Sequence, residues 1–364
     1  MLTWLEPVDA VRSAHRLRVA KLAGGTWSAP TTIAEGPTIV ANWADLPSVA
    51  RQDNGTLVAH WAEKSAAADP HGYGVVLARS ADGGAAWRRL GFAHRDGTDT
   101  EHGFVSLIPD GDAILAFWLD GRATANGEGA TALRSARIGE TVGDDRVIDD
   151  RVCDCCRTSA VATSDGPVVA YRDRTADELR DPWVVKRVAG TWSEPRPVHA
   201  DGWRILGCPV NGPALAAAGR EVAVAWYTSA EQKPRVRIAF SSDAGGTFEQ
   251  PIEVDAPHAA RSPIGRVYVV LDRPGEALVS WMAFERDGAR LLVRRVARDR
   301  RRGPVLQIAS VTAAPESGFP RMARVGGDVV FAWTDTRSDT VRVSRLAAVD
   351  VPAVTASSSQ APGQ

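Results

Sequence analysis

The chain has 364 residues, 44% of them hydrophobic and 24% charged, with a formal net charge of −1. That balance describes a globular chain with a sizeable core and excludes a general attraction to nucleic acid or an anionic membrane surface. No apolar run approaches the length of a spanning helix, so no membrane span is expected.

Twelve Trp, 33 Gly and 22 Pro against 3 Met predict many turns and strands anchored by aromatic side chains. The N-terminus, "MLTWLEPVDAVRSAHRLRVA", has no basic segment followed by an apolar stretch, so the chain as given carries no signal peptide. From there one unit recurs, an apolar strand that usually ends in Trp. It appears as "LTWLEP" at Trp4, "LVAHWAE" at Trp61 and "ILAFWLD" at Trp118. It continues as "VVAYRDR" at Arg172, "VAVAWYT" at Trp226, "ALVSWMA" at Trp281 and "VVFAWTD" at Trp333. These positions lie roughly 52 to 57 residues apart, the period of a repeat fold.

Most units open with a short strand and a hairpin turn, as in "PSVARQDNGTLVAHW" and "VSLIPDGDAILAFW", where Asn-Gly and Asp-Gly supply the turn. A third strand follows ("GVVLARS", "RVRIAFS", "TVRVSRL"), then a turn and usually a fourth strand. That later turn reads "SADGGAAW" from Ser80 and "SSDAGGTF" from Ser241, and in trimmed form "GTWSAP" from Gly25 and "GTWSEP" from Gly190. Aspartate holds the turn's N–H groups, glycine supplies positive φ, and the aromatic pins the turn into its sheet.

The expected fold is all-β, a β-propeller of four-stranded antiparallel blades, with seven blades favoured and six as the alternative. The first unit lacks its innermost strand and the last its outermost. Residues 1–350 form a single domain in this reading, and residues 351–364, "VPAVTASSSQAPGQ", a disordered tail. The turns resemble the Asp-box (BNR) repeat, and nearly the whole chain resembles the sialidase-like propeller superfamily, whose members include proteins named exo-alpha-sialidase. The missing first strand leaves an export signal upstream open, and with it a periplasmic or extracellular location.

Three of the four cysteines fall within "RVCDCCRTSA" (Cys153, Cys155, Cys156), and the fourth is Cys208 in "GCPVNGPAL". In a propeller, loops leading into innermost strands share a face with loops joining second and third strands. The first set carries His102, the four cysteines, Asn211, Arg261 and Arg266. The second carries Glu63, Asp120, Arg122, Arg172, Asp173, Arg174, Asp335 and Arg337. Convergent polar groups in such a funnel are the default site, taking a small ligand, a glycan or a metal ion. Three readings of the cysteines stay open. Cys153, Cys155, Cys156 and Cys208, with His102, suit a soft ion such as Cu(I) or Zn(II). An even number of cysteines permits disulfides, including a strained Cys155–Cys156 bridge. The thiols are otherwise free and buried.

The family resemblance implies exo-alpha-sialidase chemistry: an arginine triad for the sugar carboxylate, a Tyr nucleophile with a Glu base, and an Asp acid. On this chain the candidates are Arg122, Arg172, Arg174, Tyr171 and Asp173, with Arg261, Arg266, Arg321 and Arg337 as further rim arginines. The family's early Phe/Tyr-Arg-Ile-Pro motif is absent, and neither Tyr171 nor Tyr227 has a Glu at a recognisable family spacing. No appreciable sialidase activity is therefore expected.

Overall fold

The computed structural model describes residues 1–64, 72–258 and 260–354. Seven antiparallel sheets form the blades of a β-propeller, and helical structure among the described residues is limited to three-residue 3-10 turns. The seven-blade expectation holds, and the six-blade alternative falls. The first blade begins at its second strand (Leu2–Pro7, holding Trp4) and the seventh ends at its third (Thr340–Ala347).

The chain divides into two compact units. The first holds blades one to four and, within residues 204–210, the loop carrying Cys208. Its second blade runs Ser48–Arg51, Leu57–Lys64, Tyr73–Ser80, Arg88–Phe92, and its third His102–Asp110, Ala113–Asp120, Ala132–Ile138, Arg146–Asp149. The fourth opens with Ser159–Thr163, Gly166–Arg172 and Pro182–Val188. The second unit holds blades five to seven; its fifth blade runs Ala214–Ala218, Glu221–Thr228, Arg235–Ser241, Ile252–Asp255.

The alternation of each strand explains the packing, because successive side chains leave opposite faces of a sheet. In the first unit Ile114, Ala116 and Trp118 point one way from a single strand and pack with Val58, Val75 and Leu77 of the preceding blade. In the second, Ala223 and Ala225 pack with Val267, Val279 and Trp281 of the next blade. Trp118, Trp226 and Trp281 are fully buried, which makes them core anchors. A buried indole N–H needs an acceptor, and in these three it finds a carboxylate: Trp118 donates to Asp120 at 2.8 Å, Trp226 to Asp201 at 2.6 Å and Trp281 to Asp255 at 2.8 Å. Arginine closes each pair, Arg122 on Asp120, Arg237 on Asp201 and Arg261 on Asp255.

The turns after the third strands behave as their composition predicts. Asp82 Oδ1 accepts from Ser80 Oγ and from the N–H groups of Ala85 and Ala86. Asp243 accepts in the same way from Ser241 Oγ and from the N–H and Oγ1 of Thr247. These donors hold both carboxyls below the usual carboxylate range against the opposing effect of desolvation, Asp243 at about 2. Of the expected tail, residues 355–364 lie outside the described residues, while Val351 is buried in the core of the second unit.

Candidate functional site

The CDCC segment bridges the last strand of blade three and the first of blade four. Val152 N–H donates to Thr131 O at 2.8 Å and Cys153 N–H to Arg172 O at 2.9 Å, so the loop is stitched to both blades. Beyond the cysteines, Thr158 Oγ1 donates to Phe104 O at 2.8 Å and shares a hydrogen bond with Ser106. A loop pinned at both ends turns its cysteines inward: Cys153 and Cys156 are buried, Cys155 is half-buried and Cys208 is exposed.

Cys153 Sγ lies 3.8 Å from Cys155 Sγ and 3.4 Å from Cys156 Sγ. All three sulfurs stand within 4.8 Å of one another. Cys208 Sγ joins a second, overlapping group with Cys155 Sγ and an Asp154 carboxylate oxygen, again within 4.8 Å. The sequence expectation that Cys208 approaches the CDCC loop is thus met in distance. All four cysteines are free thiols in the structure.

Charge around the sulfurs is positive. Arg180, nearly fully buried, places Nη1 3.3 Å from Cys153 Sγ and 3.3 Å from Asp154 Oδ1. Glu178 fixes that guanidinium at 2.8 Å and also holds Arg174 at 2.8 Å. Arg172, fully buried, donates to the Arg180 carbonyl. Hydrogen bonding to Cys155 and then Cys156 holds the Cys153 thiol well below the ordinary range, and the Arg172 charge adds to this. Burial drives the Cys156 thiol upward, and Cys155 rises through its bonds to Cys153 and Cys156. Ionisation is thus favoured at Cys153 and disfavoured at Cys155 and Cys156.

His102 is not among these groups. Its Nδ1 faces Thr100 O at 2.9 Å and its Nε2 faces Asp96 Oδ2 at 2.9 Å, so both ring nitrogens are engaged. The ring stacks on His94 with centroids 3.7 Å apart, and His94 Nδ1 meets the other oxygen of Asp96 at 2.8 Å. The sequence placed His102 correctly at the start of a first strand. It did not show that "HRDGTDT" would supply nearer partners.

Most of the expected sugar-binding arginines are paired within the protein. Arg122 pairs with Asp120 at 2.7 Å and Asp145 at 2.8 Å, and Arg174 with Glu178. In the second unit Arg261 pairs with Asp255, and Arg266 Nη1 donates to Gly318 O at 2.7 Å. Arg321 stacks over Tyr268, and Arg337 is exposed. Tyr171 is fully buried and donates to Asp149 Oδ2 at 2.5 Å, which does not suit an accessible nucleophile. Burial, with the nearby Asp149 charge, lifts the Asp173 carboxyl to about 7. Asn211 Oδ1 accepts from Arg266 N–H at 2.7 Å, and Glu63 and Asp335 are paired with Arg89 and Arg342.

One pairing escaped the sequence. Tyr73 OH donates to Glu101 Oε1 at 2.5 Å, 28 residues apart in the chain. Asp45 belongs to the same group, raising the Tyr73 phenol together with burial and Glu101, while burial pushes its own carboxyl to about 7. Only strand order could have revealed this, because Tyr73 opens a third strand and Glu101 precedes the first strand of the next blade.

No family model matches the chain, and no curated protein matches it in sequence. Its fold is similar to that of the α-L-arabinofuranosidase Arb93A of Fusarium graminearum bound to an iminosugar inhibitor. The TM-score is 0.54 at 12% identity, over 84% of this chain and 93% of that one. The same enzyme with arabinobiose gives 0.54 and 12%, over 84% and 92%. The NanB sialidase of Streptococcus pneumoniae gives 0.48 and 9%, over 87% of this chain and 70% of that one. At these identities the likeness is one of fold.

Proposed function

We propose that this propeller binds a soft metal ion through the three inner sulfurs of Cys153, Cys155 and Cys156. The observation that carries this reading is the group of three sulfurs within 4.8 Å of one another. Metal–sulfur bonds of about 2.3 Å place ligating sulfurs roughly 3.8–4 Å apart, and the sulfurs of Cys153 and Cys155 are 3.8 Å apart. Structural zinc sites are closed by four protein ligands, whereas three sulfurs converge mutually here. Thiolates take both Cu(I) and Zn(II), and a group of three sulfurs without a fourth protein ligand favours Cu(I). Arg180 and Arg172 offset the negative charge that several thiolates would gather.

The test is thiol titration combined with elemental analysis, after anaerobic addition of Cu(I) and, separately, Zn(II). Retention of about one ion per chain, lost in Cys153→Ser, supports the reading. A protein that retains neither ion on desalting excludes it.

A second reading, glycoside hydrolysis, rests on the Tyr73–Glu101 pair with Asp45 beside it. A tyrosine with a carboxylate base and a carboxylic acid is the chemistry the sialidase resemblance implies. Against it stand the burial of Tyr73 and the internal pairing of Arg122 and Arg174. Release of 4-methylumbelliferone from a sialoside or arabinofuranoside, lost in Tyr73→Phe, would support this reading. No release from either substrate removes it.

A further inference from the structure

Asp154, Cys155 and Cys208 form a second ligand group that shares Cys155 with the inner sulfurs. The two groups differ in access. In the inner group Cys153 and Cys156 are buried, whereas in the outer one Cys208 is exposed and Cys155 and Asp154 are half-buried. Cys208 Sγ is 3.8 Å from Asp154 Oδ1, which Arg180 holds at 3.3 Å. The base of the Cys208 loop is fixed, since Ile205 N–H donates to Glu178 O at 3.1 Å and Leu179 bridges Arg204. The exposed Cys208 thiol thus stands within 4.8 Å of Cys155 Sγ, which lies 3.8 Å from the buried Cys153 Sγ.

We infer that the outer group is a loading station, where Cys208 takes a soft ion from a thiol-ligated carrier and passes it inward through Cys155. This rests on the metal-binding reading above. At the outer station a bond from the ion to a carrier sulfur breaks as the bond to Cys208 Sγ forms. The Cys208 proton leaves with the departing carrier thiolate, so charge and protons balance. The ion then exchanges its bond to Cys208 for bonds to Cys153 and Cys156, with Cys155 ligating throughout: Cys155 gives its proton to a second departing carrier thiolate when it first ligates, and the proton that Cys156 gives up on ligating returns to the released Cys208 sulfur. No change of oxidation state is required. Exchange through a shared ligand avoids releasing a free ion, and replacing ligands one at a time keeps each barrier low.

The experiment follows loading of reduced full-length protein from the Cu(I)–glutathione complex by stopped-flow absorbance in the sulfur-to-copper band. Affinity is measured separately by equilibrium competition with bicinchoninate. Cys208→Ser should slow loading by about tenfold or more while leaving stoichiometry and affinity nearly unchanged. Cys153→Ser should abolish retention. Loading of Cys208→Ser at the wild-type rate overturns the inference and leaves the metal-binding reading intact. Loss of stoichiometry or affinity in Cys208→Ser also overturns it, because Cys208 would then be a permanent ligand. Failure of the wild type to bind Cu(I) defeats the metal-binding reading itself. Circular dichroism of each variant separates these outcomes from misfolding.

Discussion

Arg180 holds its guanidinium 3.3 Å from the Cys153 sulfur, and both groups are buried. A buried cation at that distance favours the thiolate over the thiol. Glu178 holds the same guanidinium, so the arrangement is fixed from behind.

Replacing Arg180 with Gln removes the charge and leaves a shorter, neutral donor. The thiolate absorbance of the apo protein should then titrate about one pH unit or more higher than in the wild type. An unchanged titration would mean that the neighbouring thiols and Arg172 alone set the Cys153 ionisation. Arg174→Gln serves as the control, because Arg174 shares Glu178 and pairs with Asp154 without touching Cys153.

Asp120 is fully buried and takes the Trp118 indole N–H at 2.8 Å and Arg122 at 2.7 Å. Asp120→Ala leaves a buried indole donor unpaired and part of a guanidinium uncompensated. The expected cost is about 3–5 kcal/mol, the range for breaking a buried pair from one side. Urea unfolding monitored by Trp fluorescence measures it. A loss below about 1 kcal/mol would show that Asp145 takes over Arg122 without penalty.

The blades were legible because their signals are local. Alternation, hairpin turns and a terminal Trp all lie within one strand pair, so the seven units around Trp4 to Trp333 could be read directly. The approach of Cys208 to the CDCC loop followed from the same reasoning, since both segments precede first strands of consecutive blades. The destinations of polar side chains were not legible. His102 chose Asp96 and Thr100 over the sulfurs because a short loop brought those partners closer. Arg122 and Arg174 were satisfied by carboxylates whose proximity depends on loop geometry, and the Tyr73–Glu101 contact crosses from one blade to the next. Arg180 carried no signal at all, being one arginine among many until the fold set it against Cys153.

His60 sits in the strand Leu57–Lys64, buried, with no hydrogen-bond partner for Nε2. Burial lowers its pKa to about 3, whereas in the unfolded chain the ring titrates near the ordinary value of about 6.5. Between these values the unfolded chain binds a proton that the folded one refuses. His60 therefore subtracts stability as the pH falls below about 6.5, by up to about 1.4 kcal/mol per pH unit. His60→Leu removes this term. Its melting temperature relative to wild type should rise progressively from pH 7 to pH 5. A gap that stays constant over that window would show that the buried ring finds a proton acceptor.

Oxidation of the apo protein should be selective among its cysteines. Three bridges compete within the CDCC loop, Cys155–Cys156, Cys153–Cys155 and Cys153–Cys156. A bridge between adjacent residues strains the peptide between them and is readily reduced. Cys153 is the sulfur with thiolate character and lies 3.4 Å from Cys156 Sγ. Diamide accepts the Cys153 thiolate as nucleophile, and the second thiol then displaces the reduced hydrazine, so two thiols lose two electrons and two protons to the reagent. The attacking sulfur in that second step must be a near neighbour, and Cys156 is nearer than Cys155 at 3.8 Å. Peptide mapping after diamide treatment should find Cys153 bridged to Cys156, with Cys155 and Cys208 still open to alkylation. The bridged protein should take up no Cu(I), and dithiothreitol should restore uptake in full. Saturating the inner sulfurs with Cu(I) beforehand should protect Cys153 and Cys156 from diamide. A dominant Cys155–Cys208 bridge would place the reactive thiolate at the outer group instead and reverse the order of reactivity argued here.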